Sequence, residues 1–215
     1  MTQKPEVTIA IVSYNRARYL ARAIRSALNQ VTHGMSIEVL CVDDGSTDTT
    51  VQLLQQFEGR VRVIRLDSNV GVGAASQRAL EACQSDLFVR LDSDDYLSSL
   101  FLQHTVSLLQ QNLDLDIISS NISIMNDDEI PIGHIDRSSN DQCLEYGAGI
   151  LFRTEALRSI GGYPLTRVRE DYELLRRLLI SGATRFHLPL SLYRRRLHSS
   201  NLSSTPEYIH WFGEL

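Results

Sequence analysis

Lysine is all but absent from this 215-residue chain: Lys4 is the only one, and every other basic side chain is arginine. Guanidinium forks suit phosphate and carboxylate, so the bias fits anionic ligands, although codon usage is the simpler account. Cysteine is scarce as well. Cys41, Cys83 and Cys143 are odd in number, far apart and without a CxxC pair, which argues against a disulfide framework and a cysteine zinc site. They read as small core residues of a reducing compartment. No apolar run approaches the length of a bilayer span, and Met1-Thr2-Gln3-Lys4-Pro5-Glu6 lacks the apolar stretch of a signal peptide. A cytoplasmic protein is therefore expected. The formal charge of −5 argues against nucleic-acid binding by general electrostatics. Repeats and linkers are missing too, so one domain with a substantial core is expected from 215 residues that are 43% apolar.

What is present is a rhythm. Val7 to Ser13 reads as a strand and Ala17 to Gln30 as a helix with Leu20, Ile24, Ala27 and Leu28 on one face. Glu38 to Asp43 is the next strand, and Thr49 to Phe57 a helix opened by Ser46-Thr47-Asp48 as capping residues. Val61 to Leu66, Gly73 to Cys83 and the strand ending at Asp92 continue the pattern. It predicts an α/β fold: a mostly parallel central sheet with helices on both faces. Beyond it come a helix from Ser98 to Gln111, a strand from Asp116 to Met125, and a polar loop or hairpin from Asn126 to Asp141. A short helix follows from Thr154, its N-cap, to Ile160, then one from Glu170 to Ser181 and a last strand from Phe186 to Arg194.

The run Leu87-Phe88-Val89-Arg90-Leu91 delivers into Asp92-Ser93-Asp94-Asp95. Clustered carboxylates repel unless a cation sits among them, and hard oxygen ligands suit magnesium or manganese. An acidic turn capping the next helix accounts for the cluster equally well. Parallel sheets bind ligands outside the carboxyl ends of their strands. Those ends here are Ser13-Tyr14-Asn15, Asp43-Asp44-Gly45-Ser46, Asp67-Ser68-Asn69 and Asp92-Ser93-Asp94-Asp95, so acid collects on one rim. Such a rim rejects a diphosphate until a metal ion neutralises it. Asp43, at the end of a buried strand, needs a donor such as a nucleobase NH or a ribose hydroxyl. Tyr14 can stack on a base or simply pack.

Gly71-Val72-Gly73-Ala74-Ala75-Ser76 fails as a dinucleotide fingerprint, because it follows the third strand and ends in serine. Its amides could still face a phosphate. Glu170-Asp171 opens a helix, where the dipole alone favours carboxylates; a general base held there is the functional reading. His198 follows Arg194-Arg195-Arg196 and reads as surface decoration or as an extra ligand to a carboxylate-bound manganese.

Taken together, the chain resembles a family 2 glycosyltransferase of the GT-A fold from about Val7 to Ser203. The matching pieces are Val12-Ser13-Tyr14-Asn15-Arg16, Val42-Asp43-Asp44-Gly45-Ser46-Thr47-Asp48, Asn69-Val70-Gly71 and Leu91-Asp92-Ser93-Asp94-Asp95. Gly161-Gly162-Tyr163, Glu170-Asp171, and Tyr193-Arg194 with His198 and Asn201 complete the set.

The resemblance implies metal-dependent, inverting transfer of a sugar from a nucleotide-diphosphate donor, a UDP-sugar by expectation, to the hydroxyl of a glycan, lipid-linked or other acceptor. It divides the chain into a nucleotide-binding half, about 7–95, and an acceptor and catalytic-base half, about 96–203. Asp43 would bind the base beside Asp44, and Ser13, Tyr14, Asp92 and Ser93 would complete the nucleotide positions. Asp94 would hold Mn2+ or Mg2+ with Asp92 and His198 assisting, Asp171 would be the base, and Asp95 remains as the cap. A partner or a peripheral membrane surface would complete the acceptor site, expected between Asn126 and Gly149 and at the C-terminal arginines.

One position departs from the pattern. Where many relatives carry Ala-Arg-Asn, this chain has Ala75-Ser76-Gln77, and Arg78 projects roughly 200° away around the helix. Two rival readings are a sugar-phosphate nucleotidyltransferase, disfavoured by the lack of glycine in Ser13-Tyr14-Asn15-Arg16, and a nucleotide-sugar-binding protein without catalysis.

Overall fold

The computed structural model describes residues 4–201; Met1–Gln3 of the expected leaderless start and Leu202–Ser203 of the resemblance lie outside the described residues. The elements in chain order are β1 (Val7–Ser13), α1 (Ala17–Leu28), β2 (Ile37–Asp43), α2 (Thr50–Gln55), β3 (Arg62–Arg65), α3 (Val72–Ala82) and β4 (Leu87–Asp92). They continue with β5 (Tyr96–Leu97), α4 (Phe101–Gln111), β6 (Ile117–Met125), β7 (Pro131–Ile135), α5 (Asn140–Glu145) and β8 (Leu151–Arg153). α6 (Thr154–Ser159), α7 (Glu170–Ile180) and β9 (Arg185–Arg196) close the described chain.

Alternation along β1 builds the core. Val7, Ile9 and Ile11 point to one face and pack with Leu20 and Ile24 of α1 and Val106 and Leu109 of α4. Ala10 and Val12 point to the other and pack with Ala75, Ala79 and Leu80 of α3 and Leu174, Leu175 and Leu178 of α7. A period of two in the strand therefore sends helices to both faces, and each fully buried leucine contributes about 1.5–3 kcal/mol.

The sheet runs β3-β2-β1-β4-β8-β6-β9-β5, with β7 paired to β6. β2 and β4 flank β1, both parallel to it, and β3 extends the parallel part beside β2. Strand order reverses at β1, and a crevice opens there outside the carboxyl ends. The second half is mixed: β8 is antiparallel to β4 and β6, whereas β6 and β9 run parallel. The sequence reading contains neither β5 and β8, of two and three residues, nor α5; such pieces are too short to show a period. The polar stretch after Met125 forms the β6–β7 hairpin.

Several expected caps are corrected. α4 starts at Phe101 with Leu100 at its N-cap, so Asp95 does not cap it. Arg153, not Thr154, precedes α6. Asp48 does accept the Thr50 amide at the start of α2, but Ser46 Oγ accepts from Asn15 N instead. No helix among the described residues is long and apolar enough to cross a membrane.

Candidate active site

The loops after β1 and β2 brace one another. Asn15 adopts a left-handed φ of 51°, which asparagine tolerates, and its Oδ1 accepts the Thr47 and Asp48 amides at 2.8 and 3.2 Å. Asp44 clamps the loop after β3, accepting from Val70 N at 2.8 Å, Gly71 N at 2.9 Å and Asn69 Nδ2 at 2.8 Å. The Gly73 amide goes to Thr166 O. The amides of both glycines, Gly71 and Gly73, are thus spent within the protein and do not face a phosphate. Asp43 is fully buried. Its Oδ1 accepts Ser46 N at 3.2 Å, while its Oδ2 has no hydrogen-bond donor and meets only Arg65 Nε at 3.5 Å. That orphaned oxygen is what a ligand NH or OH would satisfy.

At the end of β4 the acidic residues separate into different environments. Asp94 Oδ2 lies 3.1 Å from His198 Nε2 and 3.5 Å from Arg16 Nε. His198 stacks on Tyr19 at 4.3 Å, and its Nδ1 accepts the Ser200 amide, which leaves Nε2 protonated toward Asp94. Asp95 is bound by Tyr193 Oη at 2.6 Å and Arg196 N at 2.8 Å, so it ties β9 to the rim. Burial first, and then Asp94 and Asp92, push its carboxyl well above the ordinary range.

Opposite stands α7. Arg169, its N-cap, is held at φ 55°, and Glu170 and Asp171 follow in the first turn. Arg90 reaches across from β4 to Glu170 Oε1 at 2.7 Å, Asp171 Oδ2 at 2.6 Å and Asp92 Oδ1 at 3.1 Å. Gly147 lets the chain pass close to Asp171: a methyl there would sit 2.8 Å from Asp171 Cγ. Arg137, fully buried, holds that passage by donating to Tyr146 O at 2.6 Å and Ala148 O at 2.8 Å. Burial raises the Asp171 carboxyl to about 8, with Arg90 opposing and Glu170 and Asp92 reinforcing the rise.

These groups surround a cavity of about 660 Å³. Tyr14, Asp44, Asp92, Ser93, Asp94 and Asp171 line it, so residues from both halves of the chain meet there. Ser13, Asp43 and His198 are not on its wall; Ser13 Oγ is buried without a partner, and His198 contacts Asp94 from behind it. The expected acceptor stretch arrives as Leu144–Ala148. The three arginines diverge: Arg195 reaches the cavity, Arg196 bonds Glu129, and Arg194 borders a separate hollow with Arg22 and Tyr96. Arg16 and Arg90 are wall residues to which the sequence reading assigns no role. Arg90 sits inside an apolar strand run, and its partners on α7 lie about eighty positions away. Ser76, at the departure from the family pattern, is buried with its Oγ 3.4 Å from Arg90 Nη1.

Among the described residues, no group of three or more His, Cys, Asp and Glu side chains converges into a ready metal cage. Asp94 and His198 do form an oxygen–nitrogen pair of the kind that suits Mg2+ or Mn2+. Asp92, Glu170 and Asp171 share one guanidinium, so negative charge exceeds positive in that cluster. The donor set fits a divalent cation bound together with a diphosphate.

The mixed α/β sheet with its strand-end cavity is that of a GT-A glycosyltransferase. It superposes on Staphylococcus aureus TarS residues 1–349 in complex with UDP-GlcNAc with a TM-score of 0.81, at 18% identity over 95% of this chain and 64% of that one. With the UDP complex the TM-score is 0.77, at 19% identity over 90% and 61%. The chain belongs to glycosyltransferase family 2, whose sequence profile matches residues 8–198. An uncharacterized glycosyltransferase of Nostoc sp. is 31% identical over 182 residues, 76% of this chain and 55% of the relative. The chondroitin synthase of Escherichia coli is 43% identical over 96 residues, 43% of this chain and 14% of the relative. The chain therefore spans about half of the one relative and a small part of the other.

Proposed function

We propose that this chain transfers a sugar from a UDP-sugar to an acceptor hydroxyl with inversion at the anomeric carbon, with Mg2+ or Mn2+ as cofactor. The observation that carries the reading is that Asp171 lines the same cavity as Asp92-Ser93-Asp94 and shares Arg90 Nη2 with Asp92. A base held beside the diphosphate's binding groups suits in-line displacement. The orphaned Asp43 Oδ2, behind the cavity wall in this structure, would take an NH of the base once the base displaces what covers it, and Tyr14 borders the nucleotide. The names of the TarS complexes support the choice of UDP.

Asp94 would hold the cation, with His198 in contact with Asp94 and Asp92 nearby; ligation by His198 itself would require its proton to move to Nδ1. When bound, the cation supplies charge stabilisation for the departing diphosphate. Asp171 takes the proton of the acceptor hydroxyl, the hydroxyl oxygen bonds to the anomeric carbon, and the carbon–oxygen bond to the diphosphate breaks on the opposite face. Leu144–Ala148, with Tyr172 and Arg195, border the acceptor side. Asn15, fixed to Thr47 and Asp48, leaves the loop after β1 closed rather than open for a triphosphate, which disfavours nucleotidyl transfer.

The test is Asp171→Asn. Turnover of a UDP-sugar, with UDP-GlcNAc as the first probe, falls by at least about a hundredfold, while calorimetric UDP affinity in Mn2+ stays within about threefold. Wild-type turnover in that variant sinks the assignment.

A further inference from the structure

Arg90 occupies a position where an apolar residue is expected. It is the fourth residue of β4, a strand flanked by β1 and β8, and its side chain is only 4% exposed. An arginine buried there without partners would destabilise the fold strongly. Its carboxylate partners all stand on the cavity wall: Glu170 on Nη1, and Asp171 and Asp92 on Nη2. Arg137 makes an informative contrast. It too is buried, but its hydrogen bonds all go to main-chain carbonyls, those of Ser120, Tyr146, Ala148 and Gly149, so it braces backbone. Arg90 gathers carboxylates instead, and more of them than its single charge neutralises.

We propose that Arg90 is a positioning residue for the transfer reaction, fixing the Asp171 carboxylate in direction and tying it to Asp92 on the donor side. This rests on Asp171 being the base. The guanidinium is planar and rigid, so once Glu170 fixes Nη1, the direction in which Nη2 meets Asp171 Oδ2 is determined. The second oxygen of Asp171 is then left to meet the acceptor hydroxyl. Because Nη2 also holds Asp92, the base and the donor-binding end of β4 are set relative to each other through one side chain. Lysine cannot do this: an ammonium is a point charge on a flexible stem and has no fork to span separate carboxylates. The contact with Ser76 shows that the guanidinium lies against α3, so an arginine introduced at position 76 would enter the volume that the Arg90 head group fills.

The experiment compares Arg90→Lys, Arg90→Met, the double variant Arg90→Met with Ser76→Arg, and Asp171→Asn, with UDP-GlcNAc hydrolysis in Mn2+ as the activity and UDP calorimetry and thermal scans beside it. Arg90→Lys and Arg90→Met lose about 30- to 100-fold in kcat, as expected for a misplaced catalytic group. KM and UDP affinity stay within about threefold. Adding Ser76→Arg restores at least about tenfold of the lost kcat. A folded Arg90→Met protein with wild-type kcat overturns the proposal, as does a loss no greater than the unfolded fraction explains. If Arg90→Met does not fold, Arg90→Lys decides: reduced kcat with unchanged UDP affinity supports the role, and wild-type kcat refutes it. Wild-type kcat in Asp171→Asn sinks the base assignment itself. An inactive Asp171→Asn beside fully active Arg90 variants sinks the positioning role alone.

Discussion

Replacing Gly147 by alanine slows sugar transfer about a hundredfold without weakening nucleotide binding. A methyl at Gly147 runs first into Asp171 Cβ, and lies 2.8 Å from Cγ and 3.1 Å from Oδ2. Relaxed carbon contacts are about 3.5–4.0 Å, so more than about 1 Å of separation has to be found. Gly147 is not among the glycines with positive φ, so alanine's backbone preference costs nothing and the whole effect falls on this contact. Neither side yields freely. Asp171 stands on the first turn of α7 and is held by Arg90 at 2.6 Å, while Arg137 anchors the carbonyls on both sides of Gly147. A catalytic group displaced by about 1 Å costs on the order of 10²-fold in rate, or about 2.7 kcal/mol of transition-state stabilisation. Overpacking costs about 1–3 kcal/mol of stability, which a thermal scan reads separately. The assay is initial-rate turnover of UDP-GlcNAc beside UDP calorimetry, with Gly133→Ala as control, because a methyl there meets nothing closer than Ile124 Cδ1 at 3.6 Å. An unchanged kcat, or an equal loss of UDP affinity, refutes the reasoning.

Asp94→Ala raises the dissociation constant for UDP in Mn2+ at least about tenfold, and equal calorimetric affinities for variant and wild type would remove Asp94 from the cation site. The raised Asp171 carboxyl sets the pH dependence: the base is active when ionised, so kcat climbs as pH rises through about 8 and levels above it. A flat profile from pH 6 to about 9 is the contrary result. The same shift makes the folded state bind the extra proton, so this group's contribution to stability is greatest below the ordinary aspartate range and is lost as pH rises through about 8. Arg137→Met leaves the carbonyls of Ser120, Tyr146, Ala148 and Gly149 without their donor. Urea unfolding then shows a loss of at least about 3 kcal/mol, and a loss below about 1 kcal/mol contradicts the bracing role.

The parallel half of the fold was legible because its signals are local. β1, β2 and β4 are apolar runs that end in polar residues, α1 and α3 carry apolar stripes, and each is long enough for its period to show. The second half was not, since β5 and β8 are held by pairing with β9, β4 and β6 rather than by any preference of their few residues. The same division runs through the site. Asp44, Asp92, Ser93, Asp94 and Asp171 were readable from strand-end and helix-start positions, and the cavity brings them together. Asp95 looked like a cap, and only the pairing of β9 with β5 made it the acceptor of Tyr193 and Arg196. Arg90 looked like one polar residue in a buried strand.

By itself the sequence determined the elements and the acidic rim, because strand period, turn residues and carboxylate clusters are properties of neighbours along the chain. Tertiary structure decided which acids face one another, which arginine stands between them, and why Gly147 has no side chain. Contacts such as Gly147 with Asp171, Arg90 with Asp171 and Asn201 with Asp94 join residues 24 to 107 positions apart, and only packing brings them together.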